Sequence, residues 1–241
     1  MVKLFTHDEL LYLNSRFESA FPSDALEWID ATFPPGEVVM ATGFGAEGVV
    51  LIDMLARINK KFPIWYLDTE ILFPETYQLR DELEKRYGIR FIQQLPSMTF
   101  AEQARLYGGK LWERKPDQCC NLRKVEPLRS ALKNRTGWIT AIRREQSPIR
   151  AKAQIIEWDA KFGLYKFNPL ATWKMEEVWD YITFNDLPYN SLYDRGYASI
   201  GCAHCTTPVA SGEDERAGRW RGFQKTECGL HRHAFEQKVN A

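Results

Sequence analysis

The sequence predicts an α/β protein with a mostly parallel twisted sheet flanked by helices and an irregular C-terminal tail that bears a cysteine. Three observations lead there. Short apolar runs alternate with segments of helical periodicity, and Gly, Pro or Asp bound most of the runs. After about residue 186 regular periodicity fades, and Gly, Cys, His and Arg accumulate.

Each element has its own signal. Thr6 to Glu9 fits a capping box ahead of Leu10, Leu11, Leu13 and Phe17, so a helix is expected over 7–20. A second is expected over 23–33, stopped by Pro34-Pro35-Gly36. Residues 37–42 form the short apolar run of a buried parallel strand. Past a glycine-rich turn, Val50, Leu51, Met54, Leu55 and Ile58 repeat at helical spacing over 47–59. Residues 63–68 read as a strand and 74–87 as a helix. Strands at 89–93 and 137–142 complete the set, with a helix over 122–134 between them. Ligands of such sheets bind at the carboxyl ends of the strands. Thr42-Gly43, Asp68-Thr69 and Arg143-Arg144 fall at three such ends.

The chain of 241 residues suffices for one domain with a functional tail, expected as an α/β body over 1–212 and a tail over 213–241. Its formal net charge is zero, which argues against a general nucleic-acid binder. The zero hides a pattern: net −6 over 1–109, +8 over 110–152 and −2 over 153–241. A basic block within an acidic protein suggests an anion site, with a solvated helix face as the alternative. Eight Trp, 10 Tyr and 14 Phe supply a core and exclude disorder. The first residues carry no long apolar run, so neither a signal peptide nor a membrane anchor is expected, and the location expected is cytoplasmic.

The loop Thr42-Gly43-Phe44-Gly45-Ala46-Glu47-Gly48 joins a strand to a helix. Glycines there let backbone N–H groups approach phosphate or ribose oxygens. No Gly-Lys-Ser/Thr follows, so it is not a Walker loop, and a plain tight turn stays open. Five cysteines come as Cys119-Cys120, Cys202-Ala203-His204-Cys205 and Cys228. Two pairs suit a tetrahedral zinc or an iron–sulfur cluster, and the spacing does not choose between them. Buried thiols without a metal and a redox C-x-x-C are the alternatives. Cys228 stands among Arg216, Arg219, Arg221, Lys225 and Arg232, cations that favour a thiolate nucleophile.

Together these pieces resemble the thioredoxin-dependent, iron–sulfur adenylyl-sulfate (APS) reductases of the assimilatory PAPS/APS reductase family. The resemblance runs from about residue 37 to His231. It is carried by Phe44-Gly45-Ala46-Glu47, Leu67-Asp68-Thr69, Pro74-Glu75-Thr76-Tyr77, Cys119-Cys120 with Arg123-Lys124-Val125-Glu126-Pro127-Leu128, and Arg143-Arg144-Glu145-Gln146-Ser147. Leu187-Pro188-Tyr189-Asn190, Gly201-Cys202-Ala203-His204-Cys205, Gly218-Arg219-Trp220 and Glu227-Cys228-Gly229-Leu230-His231 continue it. The resemblance implies a PP-loop type nucleotide fold in which Thr42, Gly43, Gly45, Glu47, Asp68, Thr69, Arg143 and Arg144 serve the substrate. It implies a 4Fe-4S cluster on Cys119, Cys120, Cys202 and Cys205, with Cys228 as nucleophile and Lys124, Arg216, Arg219 and His231 around the phosphosulfate. The implied reaction turns APS into sulfite and AMP through a Cys228 S-sulfonate, with thioredoxin or glutaredoxin as reductant. Neither nucleic acid nor membrane is an implied partner, and a homo-oligomer stays open. Glu70 stands where many relatives have Gly, which bears on the adenosine contacts. PAPS or dual specificity, a PP-loop ATP pyrophosphatase and a zinc-clasped nucleic-acid module are the competing readings.

Overall fold

The computed structural model describes residues 4–231. Two helices open the chain. In α1 (His7–Glu18) the Thr6 hydroxyl accepts from the Glu9 N–H while the Glu9 carboxylate accepts from the Thr6 N–H. That reciprocal cap satisfies donors a helix start leaves open. Pro22 starts α2 (Pro22–Thr32), where its missing N–H costs nothing. The apolar strand β1 (Val38–Thr42) leads through the glycine loop into α3 (Ala46–Ile58). Residues Ala46 to Ala56 of α3 are buried all round, because the helix lies between the sheet and its helical neighbours. Next come β2 (Ile64–Leu67), α4 (Pro74–Tyr87) and β3 (Ile92–Gln94). The sequence places the last of these at 89–93. Ile89 and Phe91 are instead buried as the lead-in, and pairing begins with Ile92 opposite Trp65.

The basic block is helical in pieces: α5 (Phe100–Tyr107), α6 (Leu111–Arg114), α7 (Pro116–Cys120), a wide turn over Asn121–Val125, and α8 (Glu126–Ala131). The expected 122–134 helix therefore starts earlier and is interrupted. Pro127 has no N–H for the Arg123 carbonyl, and the Glu126 N–H reaches back five residues to Asn121 instead. In β4 (Gly137–Ile139) a Cβ on Gly137 would stand 2.4 Å from the Phe167 ring and 3.1 Å from the Tyr165 carbonyl, so only glycine fits. Pairing stops at Ile139, short of the expected 142, and the chain leaves the sheet toward Arg143.

The hairpin β5 (Ile156–Asp159) and β6 (Leu164–Phe167) and the helix α9 (Met175–Phe184) complete the body. The sequence reading misses all three. Lys166, buried and paired with Glu157 across the hairpin at 2.9 Å, gives β6 the look of a polar segment. The sheet order is β3-β2-β1-β4-β6-β5, parallel except for β5. Val38 and Met40 point into the larger core with α2, α3 and α9, whereas Val39, Trp65 and Trp138 pack against Leu128 and Leu132 on the other face. The strand order runs outward in both directions from β1 and β4, which opens a crevice at their carboxyl ends. Among the described residues no helix is long and apolar enough to cross a membrane.

Candidate active site

A cavity of about 220 Å³ fills that crevice. Its floor is the glycine loop with Ala41 and Thr42 of β1, Leu67 of β2 and Thr140 to Ile142 beyond β4. The loop is tightly fixed: the Phe44 N–H donates to the Thr42 hydroxyl at 3.0 Å, and the Ala46 N–H donates to the Tyr193 hydroxyl at 2.9 Å. Phe44 takes a positive φ of 57°, its ring wholly buried against Tyr66 and Phe91. Packing of that ring holds a backbone that a non-glycine residue otherwise avoids.

The walls differ in charge. One carries Lys124, Arg150, Arg216 and Arg219, and the other carries Glu47 and Glu215. Arg143 lies behind the acidic wall, fully buried, with its guanidinium shared among Glu47 at 2.9 Å, Glu145 at 3.1 Å and Glu215 at 3.2 Å. It orders those carboxylates, which outnumber its single positive charge. Arg144 turns the other way, to Glu18 and the Ala153 carbonyl, and does not line the cavity. Asp68 accepts from Tyr77 at 2.6 Å, Gln93 at 2.7 Å and the Glu70 N–H at 2.8 Å, so it braces the β2 turn from outside the cavity. Glu70 itself pairs with Arg123, which draws its side chain away from the cavity. Of the strand-end residues read from the sequence, Thr42, Gly43, Gly45 and Glu47 line the cavity, whereas Asp68, Thr69, Arg143 and Arg144 do not.

The C-terminal segment closes the cavity. Cys228, Leu230 and His231 line it together with Arg216, Arg219 and Trp220. Residues 232–241, including Arg232 and His233, lie outside the described residues. His231 stacks on Trp138 with ring centroids 5.7 Å apart and planes 5° apart. Burial, then the charges of Arg150, Lys166, Arg216 and Lys161, press its pKa well below the ordinary value, so its ring is neutral at pH 7. Burial and the neighbouring Arg150 bring Arg216 down to about 10, against the pull of Glu227. Three buried polar atoms here have no partner among the described residues: Arg219 Nε, Trp220 Nε1 and His231 Nδ1. Unsatisfied buried groups are costly, and a cluster of them at a cavity is what a polar ligand relieves.

Behind Lys124 and Trp220, which border both spaces, a much smaller cavity is lined by Cys119, Cys120, Cys202 and Cys205. The wide helical turn after Cys120 carries Lys124 to the partition. Thr69 lies against the Cys202 sulfur at 3.3 Å. Burial raises the pKa of the Cys119 thiol, carries Cys120 to about 12 and Cys205 to about 11. At Cys202 burial acts the same way, but Lys124 and Thr69 outweigh it and the pKa is lowered. Among the described residues no three His, Cys, Asp or Glu side chains close on a point that would hold a single ion. Four sulfurs lining one space form a donor set whose chemistry suits a polynuclear iron–sulfur group.

A doubly wound sheet with a glycine loop at its switch point, a cationic wall and a thiol over the opening defines a nucleotide-anion enzyme of α/β class. Residues 37–208 match the phosphoadenosine phosphosulfate reductase domain, and the chain belongs to that family. It is 49% identical over 210 residues to an adenosine 5'-phosphosulfate reductase of Bacillus subtilis, spanning 86% of this chain and 88% of that one. It is 48% identical over 198 residues to a phosphoadenosine 5'-phosphosulfate reductase of Gloeobacter violaceus, spanning 81% and 82%. Among solved structures, the phosphate complex of the PAPS reductase from Candida auris superposes with a TM-score of 0.74 at 32% identity, covering 85% of this chain and 98% of that one.

Sequence reasoning misses three residues of the site. Arg150 and Glu227 form a buried ion pair across the cavity rim at 2.8 Å, and Tyr193 fixes the glycine loop. Glu227 is visible as part of the Glu-Cys-Gly-Leu-His motif, but nothing in the sequence connects it with Arg150, 77 residues earlier.

Proposed function

We propose that this protein reduces adenosine 5'-phosphosulfate to sulfite and AMP, in sulfate assimilation, with a dithiol protein such as thioredoxin or glutaredoxin as reductant. The observation that carries this reading is one cavity that joins the glycine loop, the cationic wall and Cys228. The adenosine end fits the glycine loop and the acidic wall, where Glu47 and Glu215 accept from ribose hydroxyls. The phosphosulfate end fits Lys124, Arg216 and Arg219, with Arg219 Nε, Trp220 Nε1 and His231 Nδ1 still to be satisfied.

The chemistry balances as two thiol displacements. The Cys228 thiol gives its proton to solvent and its thiolate attacks the sulfate sulfur; the S–O bond to phosphate breaks and AMP leaves. Lys124 and the arginines hold the charge that grows on the departing phosphate. A thiolate of the reductant then attacks the Cys228 sulfur, sulfite leaves with the electron pair, and a mixed disulfide remains. The second reductant thiol resolves it, restoring Cys228 and oxidising the reductant by two electrons. Residues 213–241 act as a tail that covers the substrate and uncovers Cys228 for the reductant, on a body formed by 1–212.

Cys119, Cys120, Cys202 and Cys205 fit a 4Fe-4S cluster. Bound there, the cluster supplies an electrostatic centre beside Lys124. Burial opposes the charge of Lys124, but the negative charge of the cysteines held as thiolates, Cys202 first, outweighs it and raises the Lys124 pKa. Five cysteines without a disulfide and a thiol reductant fit a reducing compartment, the cytoplasm.

The test is anaerobic sulfite release with reduced thioredoxin from APS and from PAPS, beside iron and sulfide analysis. A clear APS preference with about four irons and four sulfides per chain is expected. Absence of sulfite from both, or stoichiometric zinc alone, refutes the reading. A second reading, dual use of PAPS, draws on the Gloeobacter relative's name. The surroundings of Arg143 argue against it, because three carboxylates already face its one positive charge and leave none over for a 3'-phosphate.

A further inference from the structure

We propose that Glu227 is the latch that seats Cys228 over the cavity, and that the grip of Arg150 and Arg216 on its carboxylate sets opposite rates for the two halves of the reaction. The second half of this statement rests on the reaction proposed above; the latch itself does not.

The segment that carries Cys228 has almost no regular structure, so hydrogen bonds to the body must fix it. Glu227 supplies the densest set. Its carboxylate is wholly buried and accepts from Arg150 Nε at 2.8 Å, Arg150 Nη2 at 2.9 Å, Arg216 Nη2 at 3.2 Å and Ser147 Oγ at 3.2 Å. Arg216 also donates to the Thr226 carbonyl at 2.9 Å, so the backbone just before Glu227 is held as well. Two further anchors flank it: Lys225 pairs with Asp117 beside the Cys119-Cys120 pair, and Lys161 donates to the Gly229 carbonyl. Cys228 is thus bracketed on both sides, with its neighbour locked to the rim of the cavity.

The grip joins distant parts of the chain. Ser147 and Arg150 belong to the turn after β4, whereas Arg216 belongs to the tail itself. Bidentate Arg–carboxylate pairing fixes angle as well as distance, and a buried pair is lost as a unit when the tail lifts. Ground-state closure therefore has a specific contact that must break before a protein thiol reaches Cys228. The same contact holds the thiol at the substrate. Glu227 touches neither reacting atom; it acts through the placement of Cys228, as a positioning residue.

E227Q keeps size and removes the charge. In the holoenzyme, with four cysteines committed to the cluster, the rate at which iodoacetamide alkylates Cys228 is read by peptide mass analysis. Loss of a charge-assisted grip is expected to raise that rate roughly tenfold. R150Q should do the same, and E227Q/R150Q should add little to either alone, because the two act as one contact. The half-reactions are then separated: AMP release from stoichiometric APS without reductant, and sulfite release from preformed Cys228 S-sulfonate on adding thioredoxin. E227Q should slow the first and accelerate the second. A residue needed only for folding would slow both.

Unchanged alkylation in E227Q, additive effects in the double variant, or a slower second half-reaction overturns the latch. If E227Q does not fold, E227D, which keeps the buried charge but shortens the reach, is expected to shift each rate in the same direction, and unchanged rates in it overturn the latch too. Alkylation needs no sulfonucleotide. Failure of the wild type to release AMP or sulfite would refute the proposed reaction and leave the alkylation ratios to judge the latch.

Discussion

The sheet body and the segment that caps it are held by different forces. Strands β1, β2 and β4 pair through backbone hydrogen bonds and bury Val39, Met40 and Ile139 completely. Residues 213–231 contain no long helix or strand, and ion pairs fasten them: buried Glu227 to Arg150 and Arg216, and Lys225 to the exposed Asp117. Apolar burial is non-directional and survives small shifts, whereas an ion pair out of water holds only at full geometry. A body of the first kind keeps the nucleotide end fixed. A cap of the second kind can come off in one step, which suits the proposed use of Cys228 first at a buried substrate and then at a reductant thiol.

The comparison breaks most visibly at Cys228. Cys228→Ser should lower sulfite release by at least ~10³-fold while a nucleotide still binds, since body and glycine loop are untouched. Loss of nucleotide affinity in a binding titration would mean that cap and body are not separable. Lys124→Gln at the partition between the two cavities should cost roughly 10²-fold in kcat, with KM changed much less, if it meets charge that grows on the leaving phosphate. An equal rise in KM would make it a ground-state contact.

A body mutation should show the reverse pattern. Leu55→Ala, at a side chain with no exposure, is expected to cost about 2–5 kcal/mol in denaturant unfolding. The activity of the folded fraction and the alkylation rate of Cys228 should stay near wild type.

The two regions also differ in how they can be read from sequence. The periodicity of Val50, Leu51, Met54, Leu55 and Ile58 announces α3 because packing against a sheet demands that spacing. The hairpin β5–β6 escapes because its central Lys166 reads as a surface charge until the hairpin sets it opposite Glu157. The cysteines and the glycine loop are legible as residue types with a chemistry. The roles of Arg143 and Arg150 are not, because both are arginines of one basic stretch and differ only in their partners. Arg143 is spent on three carboxylates and Arg150 on the tail. Local spacing carries no signal for contacts that span 72 and 77 residues.

Acid should act on the cap alone at first. His231 has a pKa below its ordinary value when the cap is closed, so the open state takes up the proton as pH falls below about 6.5. Glu227 follows lower down. Burial works to raise its pKa, but Arg150, Arg216 and Ser147 outweigh burial and depress it, so closure retains its contribution above about 4.5 and loses it below. Amide exchange over 224–231, corrected for intrinsic rate, should show protection at pH 7.5 that declines by pH 5.5, with the sheet unchanged. Constant protection would contradict the neutral His231. The smallest effect is expected for Arg144→Ala, which removes a half-exposed pair with Glu18 worth about 0–1 kcal/mol. KM for APS should stay within about twofold, and a large rise would bring Arg144 into the site.

The most direct test of the central claim is a single turnover without reductant. Anaerobic holoenzyme is mixed with one equivalent of APS, and both AMP and the mass of the Cys228 peptide are followed. The proposed chemistry predicts close to one AMP per chain, a sulfonate on Cys228, and sulfite only after a thiol is added. AMP with sulfite and no modified Cys228, or no AMP at all, would contradict it.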